Sequence, residues 1–145
     1  MYSHILIGLN ESAAALRALR QAIRLAATFN ATLTAVAVTP TLPLYAAFAT
    51  ALGGEARQVI EDDQQASFAD LLEMARREAR QHEVEIETVL SNGPVSDSLF
   101  EAVRTNHIDL LVLGIHRDHD LPGWLSSSTA HELAEGVGCD VLGVH

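Results

Sequence analysis

Lysine is absent from this chain: all nine basic residues are arginines. No Walker A lysine can reach a nucleotide phosphate, no Schiff base can form, and the lysine that phosphoacceptor receiver domains place after their last strand is missing. Cysteine is nearly absent too. With Cys139 alone there is no internal disulfide, no Cys-x-x-Cys redox pair and no thiolate zinc site. Basic charge is scarce, nineteen acids standing against nine arginines for a net charge of −10, so a polyanion meets repulsion over most of the surface and nucleic acid is not an expected partner. Charge of either sign is missing from Asn30 to Gly54. A membrane span needs about 20 strongly apolar residues, whereas this stretch is rich in Ala and Thr and broken by Pro40 and Pro43. It reads as a buried strand running into an apolar loop from Thr39 to Gly54. Met1 to Leu9 lacks a basic region, a long apolar run and a small-residue cleavage site, so a cytoplasmic location is expected.

What is present is the composition of one folded domain, with 48% apolar and 19% charged residues in 145. Ile5 to Leu9 is a short β-branched run suited to a strand covered on both faces. Ser12 offers a helix cap, after which Leu16, Leu19, Ile23, Ala26 and Ala27 recur at helical spacing. Thr32 to Val38 reads as a second strand. From Glu55 to about Gln81, the residues Phe68, Leu71, Leu72, Ala75 and Ala79 stripe the longest helix. Glu85 to Leu90 alternates apolar and polar residues, the mark of a strand with one wetter face at a sheet edge. Asn92-Gly93-Pro94 makes a turn into a third helix striped by Val95, Leu99, Ala102 and Val103. Leu110 to Leu113 is a fully apolar fourth strand. Gly114 to Leu125 is a polar loop, Ser126 to about Gly136 a fourth helix with Ala130, Leu133, Ala134 and Val137 inward, and Val141 to Val144 a last strand. Strands alternating with helices imply right-handed crossovers and an α/β fold: a five-stranded parallel sheet, order 3-2-1-4-5, with helices on both faces. Ligands of such sheets sit beyond the carboxyl ends of the strands where the order reverses. Here that point lies between strands one and four and sets Asn10-Glu11-Ser12 opposite Gly114 to Ser128.

The opening Tyr2 to Ser12 and the segment Leu110 to Val144 resemble those of the universal stress protein A family, and with the intervening order of elements the similarity spans nearly the whole chain. Nucleotide-binding members of that family carry Gly-x-x-Gly, nine residues, then Gly followed by Ser or Thr, because glycines let backbone amides close on phosphates while a helix N-terminus completes the cradle. On this chain Gly114 fills the first position, Arg117 the second, Ser127 the third and Ser128 the hydroxyl position. The family aspartate at the end of strand one is Asn10. The resemblance therefore implies a Rossmann-like, adenine nucleotide alpha hydrolase-like fold, and a member close to the subclass that binds no nucleotide. It further implies a non-catalytic stress-response protein that acts as a homodimer through protein contacts. The alternative it implies is a protein that binds ATP or AMP with Mg for regulation, with Arg117 pairing a phosphate from its side chain and the hydroxyls and amides of Ser126 to Thr129 holding another.

The remaining candidates carry less. His116, Asp118, His119 and Asp120 are suitable ligands for zinc or nickel, but a loop of no fixed period does not bring them together and a solvated polar loop is expected. His131 falls one residue off the inward stripe of its helix, and it and the scattered His4, His82, His107 and His145 lack an obvious acid or nucleophile partner. Ser12 and Ser128 are explained as caps, with no Gly-x-Ser-x-Gly elbow beside them. Trp124 is expected to pack over the sheet end, and Cys139 to be an inert buried thiol with no basic neighbour to lower its pKa. The apolar last strand Val141, Leu142, Gly143 and Val144 lacks the Lys or Pro that blunts an exposed edge, and a homodimer built on it is expected.

Overall fold

The computed structural model describes residues 1–39, 51, 54–115 and 127–145, the side chains of 54–64 and 127–128 excepted. Among the described residues five strands and four helices follow one another as β1 (His4–Leu9), α1 (Ala13–Phe29), β2 (Thr32–Thr39), α2 (Gly54–Gln81), β3 (Ile86–Asn92), α3 (Val95–Thr105), β4 (Leu110–Gly114), α4 (Ser127–Gly136) and β5 (Asp140–Val144). The strands pair in parallel as one sheet in the order β3-β2-β1-β4-β5, the order expected from the sequence. Ile5 pairs with Leu33 on one side and Leu110 on the other, and Leu111 pairs with Val141.

Strand periodicity divides the core in two. Ile5, Ile7 and Leu9, with Leu33, Ala35 and Ala37 and with Leu110 and Val112, face α1 and α2; Leu6, Val36, Val38, Leu111 and Leu113 face α3 and α4. Apart from Thr34 on β2, the three central strands are thus apolar on both faces over Ile5 to Leu9, Leu33 to Val38 and Leu110 to Leu113, which is why these runs do not alternate with polar residues. The stripe expected on α2, Phe68 through Ala79, is buried throughout. On α1 the inward face is broader than the expected stripe and built of smaller side chains: Ala14, Ala15, Ala18, Ala22 and Ala26 join Leu19 and Ile23, while Leu16 is half-buried and Ala27 exposed. A helix laid this closely on a sheet accepts alanines where larger side chains would hold it off.

Several expected boundaries move for one reason, that ladder pairing carries strands past the apolar run. Thr39 belongs to β2 and Asn92 to β3, because the two pair with each other. The turn is left to Gly93, whose φ of +121° is glycine territory. Asp140 likewise joins β5 through its register with Leu110. β3 is an edge strand as anticipated, but Leu90 is 40% exposed, not inward. Ala134 also faces out, beside His131, while Ala130, Leu133 and Val137 are buried. Among the described residues no helix is long and apolar enough to cross a membrane.

Candidate functional site

At the carboxyl ends of the strands the order reverses between β1 and β4, and the residues gathered there are Asn10, Ser12 and Gly114. Asn10 follows β1 directly and is only 8% exposed. Its Oδ1 accepts from the Ser12 N–H at 2.9 Å. Ser12 caps α1 in extended conformation, its Oγ accepting from Ala15 N–H at 3.1 Å. A short polar side chain at each of these two positions satisfies amides that the start of a helix would otherwise leave open. Asn10 is neutral, so this end of the sheet carries no carboxylate at the strand terminus itself. The nearest acid along the chain, Glu11, turns toward α2 and accepts from Ser67 Oγ.

Gly114 ends β4 against the first turn of α1. A Cβ placed on it would stand 2.5 Å from the Ala14 carbonyl carbon and the Ala15 nitrogen, and 2.7 Å from the Ala14 oxygen. Those are backbone atoms that cannot swing aside, so packing alone demands glycine here. Beyond it Ile115 N–H donates to the Val144 carbonyl at 2.7 Å and draws β5 along the same end. Ser127 and Ser128 open α4, but their side chains lie outside the described residues. Arg117 and the whole set His116, Asp118, His119, Asp120, Trp124 and Ser126 also lie outside them. Among the described residues no group of three or more His, Cys, Asp or Glu is placed to hold a metal.

The rim is completed on the other side by contacts that sequence reasoning passed over. Thr39, buried at the end of β2, places its hydroxyl within hydrogen-bond reach of the Ser91 carbonyl at 3.2 Å and of Asn92 Oδ1, and its carbonyl accepts from Gly93 N–H at 3.3 Å. The available signal was the β-branched hydroxyl residue just before Pro40, a position that favours extended backbone.

The other end of the sheet is knitted by acids. Asp109 accepts from the Ser3 and His4 N–H groups at 2.8 and 3.1 Å. Tyr2 donates its hydroxyl to Asp140 Oδ2 at 2.8 Å and sets its ring edge-on to Phe29, with centroids 5.5 Å apart. The hydrogen bond to Asp140, then desolvation and the charges of Asp140 and Asp109, raise the Tyr2 pKa. Cys139 is half-buried next to this cluster. Burial pushes its thiol up, with Asp140 and Asp109 adding to the effect against a backbone hydrogen bond from the Leu111 region, which is the behaviour of an unreactive thiol. His131 does have an acid partner, Glu135 one turn on, at 3.4 Å and fully at the surface. A hollow of about 740 Å³ between α3 and the α4–β5 turn, lined by Phe100, Glu101, Arg104, His107 and Val137, lies toward the amino ends of β4 and β5, away from Asn10 and Gly114.

Comparison with known proteins agrees with this architecture. A curated relative, universal stress protein A homolog 1 of Coxiella burnetii, is 29% identical over 146 residues, covering 99% of this chain and 96% of its own. The crystal structure of a universal stress protein family member from Burkholderia pseudomallei superposes with a TM-score of 0.76 at 26% identity, covering 99% of this chain and 96% of that one. A universal stress protein crystallised in complex with cAMP has a TM-score of 0.72 at 24% identity, with 99% and 97% of the two chains covered. The sequence pattern of the universal stress protein family matches residues 1–145, and the chain belongs to that family.

Proposed function

We propose that this protein is a non-catalytic, cytoplasmic universal stress protein that acts in the stress response as a homodimer through protein contacts, without binding Mg-ATP. The observation that carries the reading is the packing of Gly114. It is the one glycine of the family's phosphate-loop pattern that this chain keeps, and the first turn of α1 accounts for it with no ligand at all. Asn10 supports the same reading, since it is neutral and its side-chain oxygen is spent on Ser12, leaving no carboxylate at the strand end to assist a ribose or a magnesium ion. Arg117 and Ser127, where the pattern has glycine, agree in sequence. Calorimetric titration with Mg-ATP should give no saturable heat in the micromolar range. A dissociation constant below about 10 μM, or about −7 kcal/mol, refutes the reading.

A second reading has one specific observation in its favour. Structural neighbours were solved with cAMP, dAMP and AMP, and a monophosphate asks less of a phosphate cradle than ATP does. Under this reading Asn10, Gly114, Arg117, Ser127 and Ser128 contact an adenine nucleotide, ATP or AMP with Mg. Mass spectrometry of small molecules released from gently purified protein separates the two: AMP or cAMP at near-stoichiometric amounts establishes the second.

The dimer is proposed on β5. It is an edge strand in which Val141, Leu142 and Val144 are half-buried and Gly143 is exposed. Beside it runs a groove of about 270 Å³ lined by Leu113, Ile115, Ala130, Ala134 and Val141. Two copies pairing Val141 to Val144 antiparallel about a two-fold axis extend one sheet across the dimer and bring α4 against its mate, which adds apolar area to the strand pairing.

A further inference from the structure

Charge is distributed unevenly over this acidic molecule, and α1 is the exception to its sign. The helix carries Arg17, Arg20 and Arg24 and no acid; all nineteen Asp and Glu lie elsewhere, with only six arginines among them. The three arginines are exposed. At 100° and 1.5 Å per residue they fall within roughly 60° of arc and span about 10 Å along the axis, so they form one line. Their existing contacts leave them available. Arg20 approaches Glu78 of α2 only at 3.9 Å, with its side chain 63% exposed, a surface pairing of the weak kind. Arg17 spends Nε on the His145 carbonyl at 2.8 Å and keeps its terminal nitrogens. Arg24 has no ion pair among the described residues. The buried side of the same helix is five alanines with Leu19 and Ile23, which fixes α1 on the sheet and holds the stripe on a rigid support.

We infer that the Arg17–Arg20–Arg24 stripe of α1 is the docking surface for an acidic helical segment of a partner protein. This rests on the proposed function through protein contacts and names the chemistry of the partner. The spacing is what selects a helix: glutamates at i, i+3 and i+7 repeat the interval of the arginines, whereas carboxylates on one face of an extended strand recur about every 6.6 Å. Guanidinium groups grip carboxylates in paired hydrogen bonds. The acidic remainder of the surface supplies the selectivity. A segment that overruns the stripe meets like charge, so long polyanions are disfavoured while a short acidic face is accepted.

The test is fluorescence anisotropy with the full chain and a labelled helical peptide whose only charges are Glu at i, i+3 and i+7, at about 50 mM salt, where Debye screening is modest. Binding is expected to saturate and to disappear for the peptide with Gln in place of Glu. The double variant Arg20→Gln, Arg24→Gln is expected to weaken it about tenfold. The control Arg104→Gln, an exposed arginine on α3, is expected to change it by less than about twofold. Absence of saturable binding overturns the proposal, as does an equal loss in the Arg104 control. Tighter binding of a single-stranded oligonucleotide or of phosphatidylserine vesicles through the same two arginines also overturns it. The ATP calorimetry and the dimer mass do not depend on Arg20 or Arg24, so their failure is separate from failure here.

Discussion

Gly114→Ala isolates the packing that the proposed function leans on. The added methyl has nowhere to go, since its carbon would stand 2.5 Å from two backbone atoms of α1, about 1 Å inside an ordinary carbon–carbon contact. Either α1 lifts from the sheet over its first turn or β4 is pushed toward β5, and overpacking of this kind costs about 1–3 kcal/mol. At about 2.1 cal/mol/K per residue, a chain of this length unfolds with an entropy near 0.3 kcal/mol/K, so the melting temperature should fall by about 3–10 °C. Thermal unfolding followed by circular dichroism on nucleotide-free protein reads this directly. Gly138→Ala is the matched control, because a Cβ there meets nothing within 4 Å, and it should move the midpoint by no more than about 2 °C. If Gly114→Ala melts within about 1 °C of wild type, or if Gly138→Ala is equally costly, the glycine is not held by packing against α1 and the argument from it collapses.

Leu142→Asp should convert the proposed dimer to monomer or prevent folding, and light scattering of wild type at micromolar concentration that returned a monomer mass would remove the proposed β5 interface. Leu133→Ala empties a fully buried site under α4 and should cost about 2–5 kcal/mol in urea unfolding, against about 1 kcal/mol for Ser12→Ala, which loses the α1 cap. Arg117→Gly combined with Ser127→Gly should raise affinity for Mg-ATP if the loop is what prevents binding, readable in the same calorimeter. Because the folded-state pKa of Tyr2 is raised, its contribution to stability is present in full below its unfolded pKa near 10 and is lost as pH rises through the higher folded value. The stability difference between wild type and Tyr2→Phe should therefore be constant at neutral pH and shrink in alkaline denaturation curves.

The central sheet was legible because its strands are buried on both faces and so announce themselves as unbroken apolar runs. Edge elements were less so. Leu90 looked inward on period-two grounds, yet an edge strand has only one neighbour to cover it, and alternation does not say how far the cover extends. Ala27 and Ala134 misled for a related reason: alanine is compatible with either side of a helix, so it adds little to a stripe drawn from hydrophobicity alone. At the candidate site, sequence located Asn10 and Gly114 at the switch point through topology. It did not show that packing requires the glycine, since a glycine beside a phosphate and one beside a neighbouring helix both need a missing Cβ, and the closeness of Ala14 and Ala15 exists only in three dimensions. The rim formed by Thr39, Ser91 and Asn92 joins residues about fifty positions apart, and no local pattern encodes such a meeting.

β1 pairs with β2 on one side and β4 on the other, and this gives the chain an order of assembly. Closing Ile5 onto Leu33 spans about a quarter of the sequence separation needed to close Ile5 onto Leu110, an entropy difference of about 1 kcal/mol in favour of the first. The β1–β2–β3 half can thus form while β4 is still free, or still on the ribosome. During that interval β1, apolar from Ile5 to Leu9, is an open edge, with its hydrogen-bonding groups unpaired and no charge along that run to repel a second chain. Refolding yield should consequently fall with protein concentration in a way that the finished fold, with β1 at its centre, gives no hint of.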